Sequence, residues 1–148
     1  MNSDYINIAL ADDDEDDRLF FTDAFDELKL KSKVLLFKDG IELMEYLNDR
    51  DNTLPSLLFL DLNMPKKSGL ECLKDIKATE RLREMVIAIY STSASEEDIE
   101  NTFVKGANVY IKKPNDFEKL KKVLSEVVTT NWQYQTSGLN KDNFLLRL

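Results

Sequence analysis

Asp12, Asp13, Asp61, Ser91 and Lys113 are the residues of this sequence best placed to do chemistry, because they stand just past the ends of separate apolar runs. Ile6-Asn7-Ile8-Ala9-Leu10-Ala11 leads into Asp12-Asp13-Asp14, and Leu57-Leu58-Phe59-Leu60 leads into Asp61. Val86-Ile87-Ala88-Ile89-Tyr90 leads into Ser91-Thr92-Ser93, and Val109-Tyr110-Ile111 leads into Lys112-Lys113-Pro114. In an open parallel sheet, residues beyond the carboxyl ends of the strands converge on one crevice. Carboxylates, a hydroxyl and an ammonium would then share a pocket. Carboxylates held that close repel unless a cation joins them, so the arrangement implies a bound metal. The chain contains no histidine, which removes Ser-His-Asp, Cys-His and His-ligated metal chemistry. A hard, oxygen-bound ion is expected, with magnesium the natural choice.

The elements that must position these groups follow from hydrophobic period. Strands are expected at 6–11, 34–37, 57–60, 86–90 and 109–111. Between them lie helical patterns: Leu19, Phe20, Ala24, Phe25 and Leu28 within 16–29; Ile41, Met44 and Leu47; and Leu70, Leu73 and Ile76 within 69–78. A fourth helix is expected to start at Ser95, where Ser95-Glu96-Glu97-Asp98 resembles a capping box, and to end at Gly106. A fifth is expected after Asn115 as cap, with Phe117, Leu120, Leu124 and Val127 on its apolar face. Strands alternating with helices predict an α/β fold, a doubly wound five-stranded parallel sheet with helices on both faces.

The 148 residues suit one domain with a full core. Residues 1–129 are expected to form it, with 130–148 a C-terminal extension packed on the domain or on a partner. The apolar end at 144–148 could also supply a homodimer contact. A formal net charge of −8 argues against broad binding to nucleic acid or an anionic membrane surface. No signal-peptide pattern or membrane-spanning apolar stretch is read, so a cytoplasmic location is expected. The single Cys72 lies beside Leu70 and Leu73 in a helical pattern and should be an inert, partly buried thiol.

Taken in order, Asp12-Asp13, Asp61 with Asn63-Met64-Pro65 and Gly69, Ser91, Gly106-Ala107, Tyr110 and Lys113-Pro114 resemble a response-regulator receiver domain, the phosphoacceptor of two-component signalling. The resemblance runs from about Ile6 to Val128. The acidic opening of residues 12–17, with no output domain read, most resembles stand-alone receivers of the phytochrome-associated type. The resemblance implies the flavodoxin-like strand order 2-1-3-4-5. It makes Asp61 the phosphoacceptor and Asp13, Asp61 and the Asn63 carbonyl the magnesium ligands, with Asp12 acting mainly through water. Lys113 would pair with the phosphoryl group, Ser91 would donate to it, and Tyr110 would follow Ser91 as a switch, with Thr92 and Pro114 in support. The Lys113–Pro114 bond would be cis. Implied partners are a sensor histidine kinase or phosphotransfer protein and a separate downstream target.

Simpler readings apply to several of these residues. Asp14 suits a helix N-cap, and Asp16 and Asp17 suit a solvated face that favours the positive end of the helix dipole. Lys112 should face solvent by alternation with Lys113, and Tyr110 could be plain core. A haloacid-dehalogenase-type phosphatase is a rival, since Asp12-x-Asp14 meets its opening motif. Neither its cap insertion nor its later acidic motif is seen. An EF-hand fails because Asp17 sits where glycine is required. A receiver fold used only for binding, without phosphorylation, is the remaining alternative.

Overall fold

The structure, a computed structural model, describes residues 5–129 and the backbone of Leu145–Leu146. Elements alternate as expected: β1 (Ile6–Ala11), α1 (Glu15–Leu28), β2 (Ser32–Phe37), α2 (Gly40–Asn48), β3 (Leu57–Leu60) and α3 (Gly69–Ala78) come first. Then follow β4 (Val86–Ser91), α4 (Glu96–Val104), β5 (Val109–Lys112), α5 (Phe117–Thr129) and β6 (Leu145–Leu146). The strands lie in the order β2-β1-β3-β4-β5-β6, every neighbouring pair parallel. The doubly wound sheet and the order 2-1-3-4-5 are therefore as predicted, with one addition. The backbone of Leu145–Leu146 pairs with Tyr110 and Ile111 along the outer edge of β5. The remainder of the C-terminal extension lies outside the described residues, as do the side chains of 144–148 on which the expected dimer contact rests.

The strand residues alternate between two helical layers, because successive side chains of a strand point to opposite faces. Ile8, Leu10, Leu57, Phe59, Ala88, Tyr90 and Ile111 pack against Phe21, Ala24 and Phe25 of α1 and Leu120, Val123, Leu124 and Val127 of α5. Ala9, Ala11, Leu58, Leu60, Ile87, Ile89 and Tyr110 pack against Leu43 and Leu47 of α2 and Cys72, Leu73 and Ile76 of α3. Ile99 and Phe103 of α4 lean on this second layer. β3 and β4 are buried throughout, which accounts for their continuous apolar sequence.

The buried face of α1 differs from the predicted stripe. Phe21, Ala24 and Phe25 are buried, whereas Leu19 is 56% exposed. The run Leu19-Phe20-Phe21 offers apolar groups to three directions at once, and only packing chooses the phase. In α2, Ile41 is exposed and Leu43 takes the core position. The α5 cap is Asp116, whose Oδ1 accepts from Glu118 N at 2.9 Å, in place of the expected Asn115. At α4 the Ser95 cap accepts from Asp98 N, and Gly106 follows the helix with φ +98°, a conformation that favours glycine. Cys72 is fully buried, with Sγ 3.7 Å from the Gly40 carbonyl, and burial pushes its thiol up to about 11. No helix among the described residues is long and apolar enough to cross a membrane.

Candidate functional site

The ladder hydrogen bonds continue past the strand ends and fix the backbone of each chemical group. Asp12 N donates to Phe37 O at 3.0 Å, Asp61 N to Ala11 O at 3.0 Å, and Lys113 N to Ser91 O at 2.8 Å. Asp12, Asp61 and Ser91 are thereby held in buried positions at the carboxyl edge of the sheet. Gly69 lets the start of α3 close over the site. A Cβ at position 69 would lie 2.1 Å from the Asp61 carbonyl oxygen, and Gly69 N donates to Leu62 O at 2.9 Å. That is a close approach only glycine allows.

One carboxylate oxygen from each of Asp12, Asp13 and Asp61 converges within 4.8 Å of the others. Asp12 and Asp61 are buried and Asp13 is exposed, so the cluster opens to solvent on one side. Asp12 Oδ1 accepts from Asp14 N at 3.0 Å, and Asp61 Oδ1 accepts from Asn63 N at 3.2 Å. Burial raises the pKa of both buried carboxyls, Asp61 to about 6, and Lys113 only partly offsets this. Asp12 Oδ2 accepts no hydrogen bond, although Lys113 Nζ stands 2.9 Å away. A buried, acceptor-only oxygen in a three-carboxylate cluster fits a hard divalent cation.

Lys113 closes the other side. Its Nζ lies 2.7 Å from Asp17 Oδ2 and 3.3 Å from Asp61 Oδ2, besides the Asp12 contact. It also sits over the Tyr90 ring, 5.4 Å from the centroid. Burial works against its charge, but pairing with Asp17 and Asp12 and attraction from Asp61 outweigh that and hold its pKa above the ordinary lysine value. The described residues contain no cis peptide bond, so the expected cis Lys113–Pro114 is not found. The side chain reaches the crevice because β5 stays in register up to the Lys113 N–H bond, while Lys112 faces solvent as predicted.

On the β4–β5 side, Ser91 Oγ accepts from Ser93 N at 3.2 Å. Tyr110 is fully buried, and its hydroxyl donates to Ser93 O at 2.6 Å. Ser93 Oγ in turn donates to Asp98 Oδ2 at 2.8 Å, tying the loop after β4 to the first turn of α4. Thr92 is exposed, and Pro114 is half-buried after Lys113. Asp14 caps α1 as expected, accepting from Asp16 N and Asp17 N. Sequence reasoning missed two contributors. Asp17, read as solvated, faces Lys113 from the first turn of α1. Tyr90, read only as strand, supplies the ring beneath the ammonium. Their signal was present in part, since Asp17 follows Asp14 at first-turn spacing and Tyr90 precedes Ser91.

Comparison with known proteins finds relatives in sequence and in fold. Residues 8–125 match the family model described as response regulator receiver domain. The probable methanogenesis regulatory protein FilR2 of Methanothrix harundinacea is 32% identical over 123 residues, covering 81% of this chain and 79% of that protein. Response regulator Rcp1 of Synechocystis is 26% identical over 124 residues, covering 81% of this chain and 84% of its own. The Mn2+-bound crystal form of Rcp1 superposes with a TM-score of 0.76 at 24% identity over 91% of this chain and 99% of that one. The phosphorylated cyanobacterial phytochrome response regulator RcpA gives 0.77 at 28% identity, covering 92% and 97%.

Proposed function

The chain belongs to the response regulator receiver domain family, and on that premise we propose that it accepts a phosphoryl group on Asp61 from a phosphohistidine or a small acyl phosphate. The observation that carries this reading is the Asp61 carboxylate, buried at the end of β3 between the Asp12–Asp13 pair and the Lys113 ammonium. A carboxylate oxygen of Asp61 forms the new P–O bond as the donor's P–N or P–O bond breaks, and the bonding electrons leave with the donor. With its pKa near 6, Asp61 is mostly ionised at neutral pH and able to attack. Lys113 places a compact charge against the incoming phosphoryl oxygens.

Asp12, Asp13, Asp61 and the Asn63 carbonyl would hold the cation, magnesium by the hardness of the donors. When bound, it neutralises charge that otherwise keeps a carboxylate from an anionic phosphoryl group. Rcp1 crystallised with Mn2+ and RcpA crystallised in a phosphorylated form both support the reading. Ser91 would donate its hydroxyl to the phosphoryl group, and that new bond would reorganise the Ser93–Tyr110 contact and the α4–β5–α5 surface. A charge-assisted bond of roughly 1.5–3 kcal/mol is enough for a tenfold or larger population shift. Partners would be a histidine kinase or phosphotransfer protein upstream and a separate protein that reads the altered surface.

Intact-protein mass after incubation with acetyl phosphate tests the assignment. A magnesium-dependent phosphoryl adduct is expected on wild type and absent from Asp61→Asn. A folded wild type that takes no adduct, from acetyl phosphate or from a phosphorylated donor protein, would leave the receiver fold as a binding module.

A further inference from the structure

Lys113 makes its shortest contact with a carboxylate that has no part in the phosphoacceptor machinery described above. Its Nζ is 2.7 Å from Asp17 Oδ2, against 2.9 Å from Asp12 Oδ2 and 3.3 Å from Asp61 Oδ2, and the Asp17 and Asp61 contacts are hydrogen bonds. The Lys113 side chain is only 9% exposed and that of Asp17 34%, so the pairing is screened less than one in open water. Asp17 is itself held in place. Its N–H donates to Asp14 Oδ1 at 3.2 Å, and the next residue, Arg18, donates from Nη1 to the Asp12 carbonyl at 2.7 Å. The first turn of α1 is thus fastened to the rim of the crevice with a carboxylate aimed across it, and that carboxylate is not among the three that converge.

We propose that Asp17 is a positioning residue that retains the Lys113 ammonium on the α1 side of the crevice, so that a phosphoryl group arriving at Asp61 must take the lysine from Asp17. The proposal rests on the phosphoacceptor reading and concerns the regulation of that site. An ammonium has three N–H donors, and here it faces three carboxylates: it hydrogen-bonds Asp17 and Asp61 and is ion-paired with Asp12 at 2.9 Å. Transfer of the lysine to phosphoryl oxygens leaves Asp17 unpaired near a dianion, which opposes both the reaction and the persistence of its product. Asp17 is therefore a built-in brake, and neutralising it releases Lys113.

The test compares wild type, Asp17→Asn, Asp17→Glu and Asp61→Asn for the rate of adduct formation with acetyl phosphate and magnesium. It also compares the side-chain 15N signal of the Lys113 ammonium without any donor. Asp17→Asn is expected to accept phosphoryl about tenfold faster, the effect of removing one unit charge a few ångströms from the transferring group. Asp17→Glu keeps the charge and is expected to stay near the wild-type rate. The Lys113 signal should shift in Asp17→Asn, while the backbone spectrum away from the α1–β5 junction stays superimposable. An adduct on wild type with no acceleration in Asp17→Asn, or a slower reaction, overturns the proposal and leaves the phosphoacceptor reading standing. An unmoved Lys113 signal also overturns it. No adduct on either wild type or Asp17→Asn overturns both.

Discussion

The two halves of the crevice are in opposite states. On the β1–β3 side, buried carboxylates crowd together with raised pKa values, and Lys113 is the cation that Asp12 Oδ2 and Asp61 Oδ2 share. On the β4–β5 side, the hydroxyls are satisfied, with Tyr110 on the Ser93 carbonyl, Ser93 on Asp98, and Ser91 accepting from Ser93 N. The acidic half carries an electrostatic debt that a cation would settle. The hydroxyl half is closed and must break a bond before it can respond. Energy is thus stored where the reaction would occur, and order is stored where the result would be read. Lys113 spans both, because its backbone belongs to the ladder beside Ser91 while its ammonium lies among the carboxylates.

This contrast can be broken most severely through Gly69, which lets α3 press against the Asp61 backbone. Gly69→Ala puts a Cβ where only 2.1 Å is free, so α3 or the Asp61 carbonyl must shift. A loss of about 2–3 kcal/mol is expected in urea unfolding, as for other overpacked positions. Unchanged stability would mean that the acidic half is not held by this contact.

A smaller effect is expected from the charge crowding itself. Asp61 rises from 3.8 to about 6 on folding, so between those values the folded chain holds a proton that the unfolded chain has released. Stability from this group is therefore greatest at low pH and falls as pH rises through the window. The loss should reach about 1–2 kcal/mol above pH 6, after allowance for partial screening. Unfolding in EDTA across this range, wild type against Asp61→Asn, isolates the group. The difference should grow with pH and shrink when magnesium is added, and a flat difference would mean that Asp61 carries no such penalty.

The smallest effect belongs to the hydroxyl half. Tyr110→Phe removes the bond to the Ser93 carbonyl with little change in packing and should cost about 1 kcal/mol. Backbone shifts should be confined to the β4–α4 loop and the start of α4. Shifts spreading to Asp12 would show that the two halves are not separable.

Much of this was legible in the sequence because burial and topology act on types of residue. β3 and β4 had to be covered on both faces, since four and five successive apolar residues leave no polar side. The crevice followed from what stands beyond those runs. The strand order rested on family resemblance, as did the roles of Ser91 and Tyr110. What was not legible depends on reach and phase. The stripe of α1 slipped because Leu19, Phe20 and Phe21 are equivalent to a periodicity count, and only contact with Phe59 and Tyr90 selects Phe21. Asp17 looked like one more solvated acid because its partner is 96 residues away. The cap at Asp116 and not Asn115 is a one-residue choice between two good capping types. The pairing of Leu145–Leu146 with β5 involves too short a run to be read as a strand.

Cys72 turns the fold into its own timekeeper. The chain has one thiol, sealed between α2 and α3 and driven up to about 11, so no reagent in solution can reach a reactive thiolate while those helices stay in place. Any alkylation that does occur must wait for the α2–α3 layer to part from the sheet. The speed of labelling then becomes a clock for the breathing of one layer, read at the natural cysteine with no substitution in the chain.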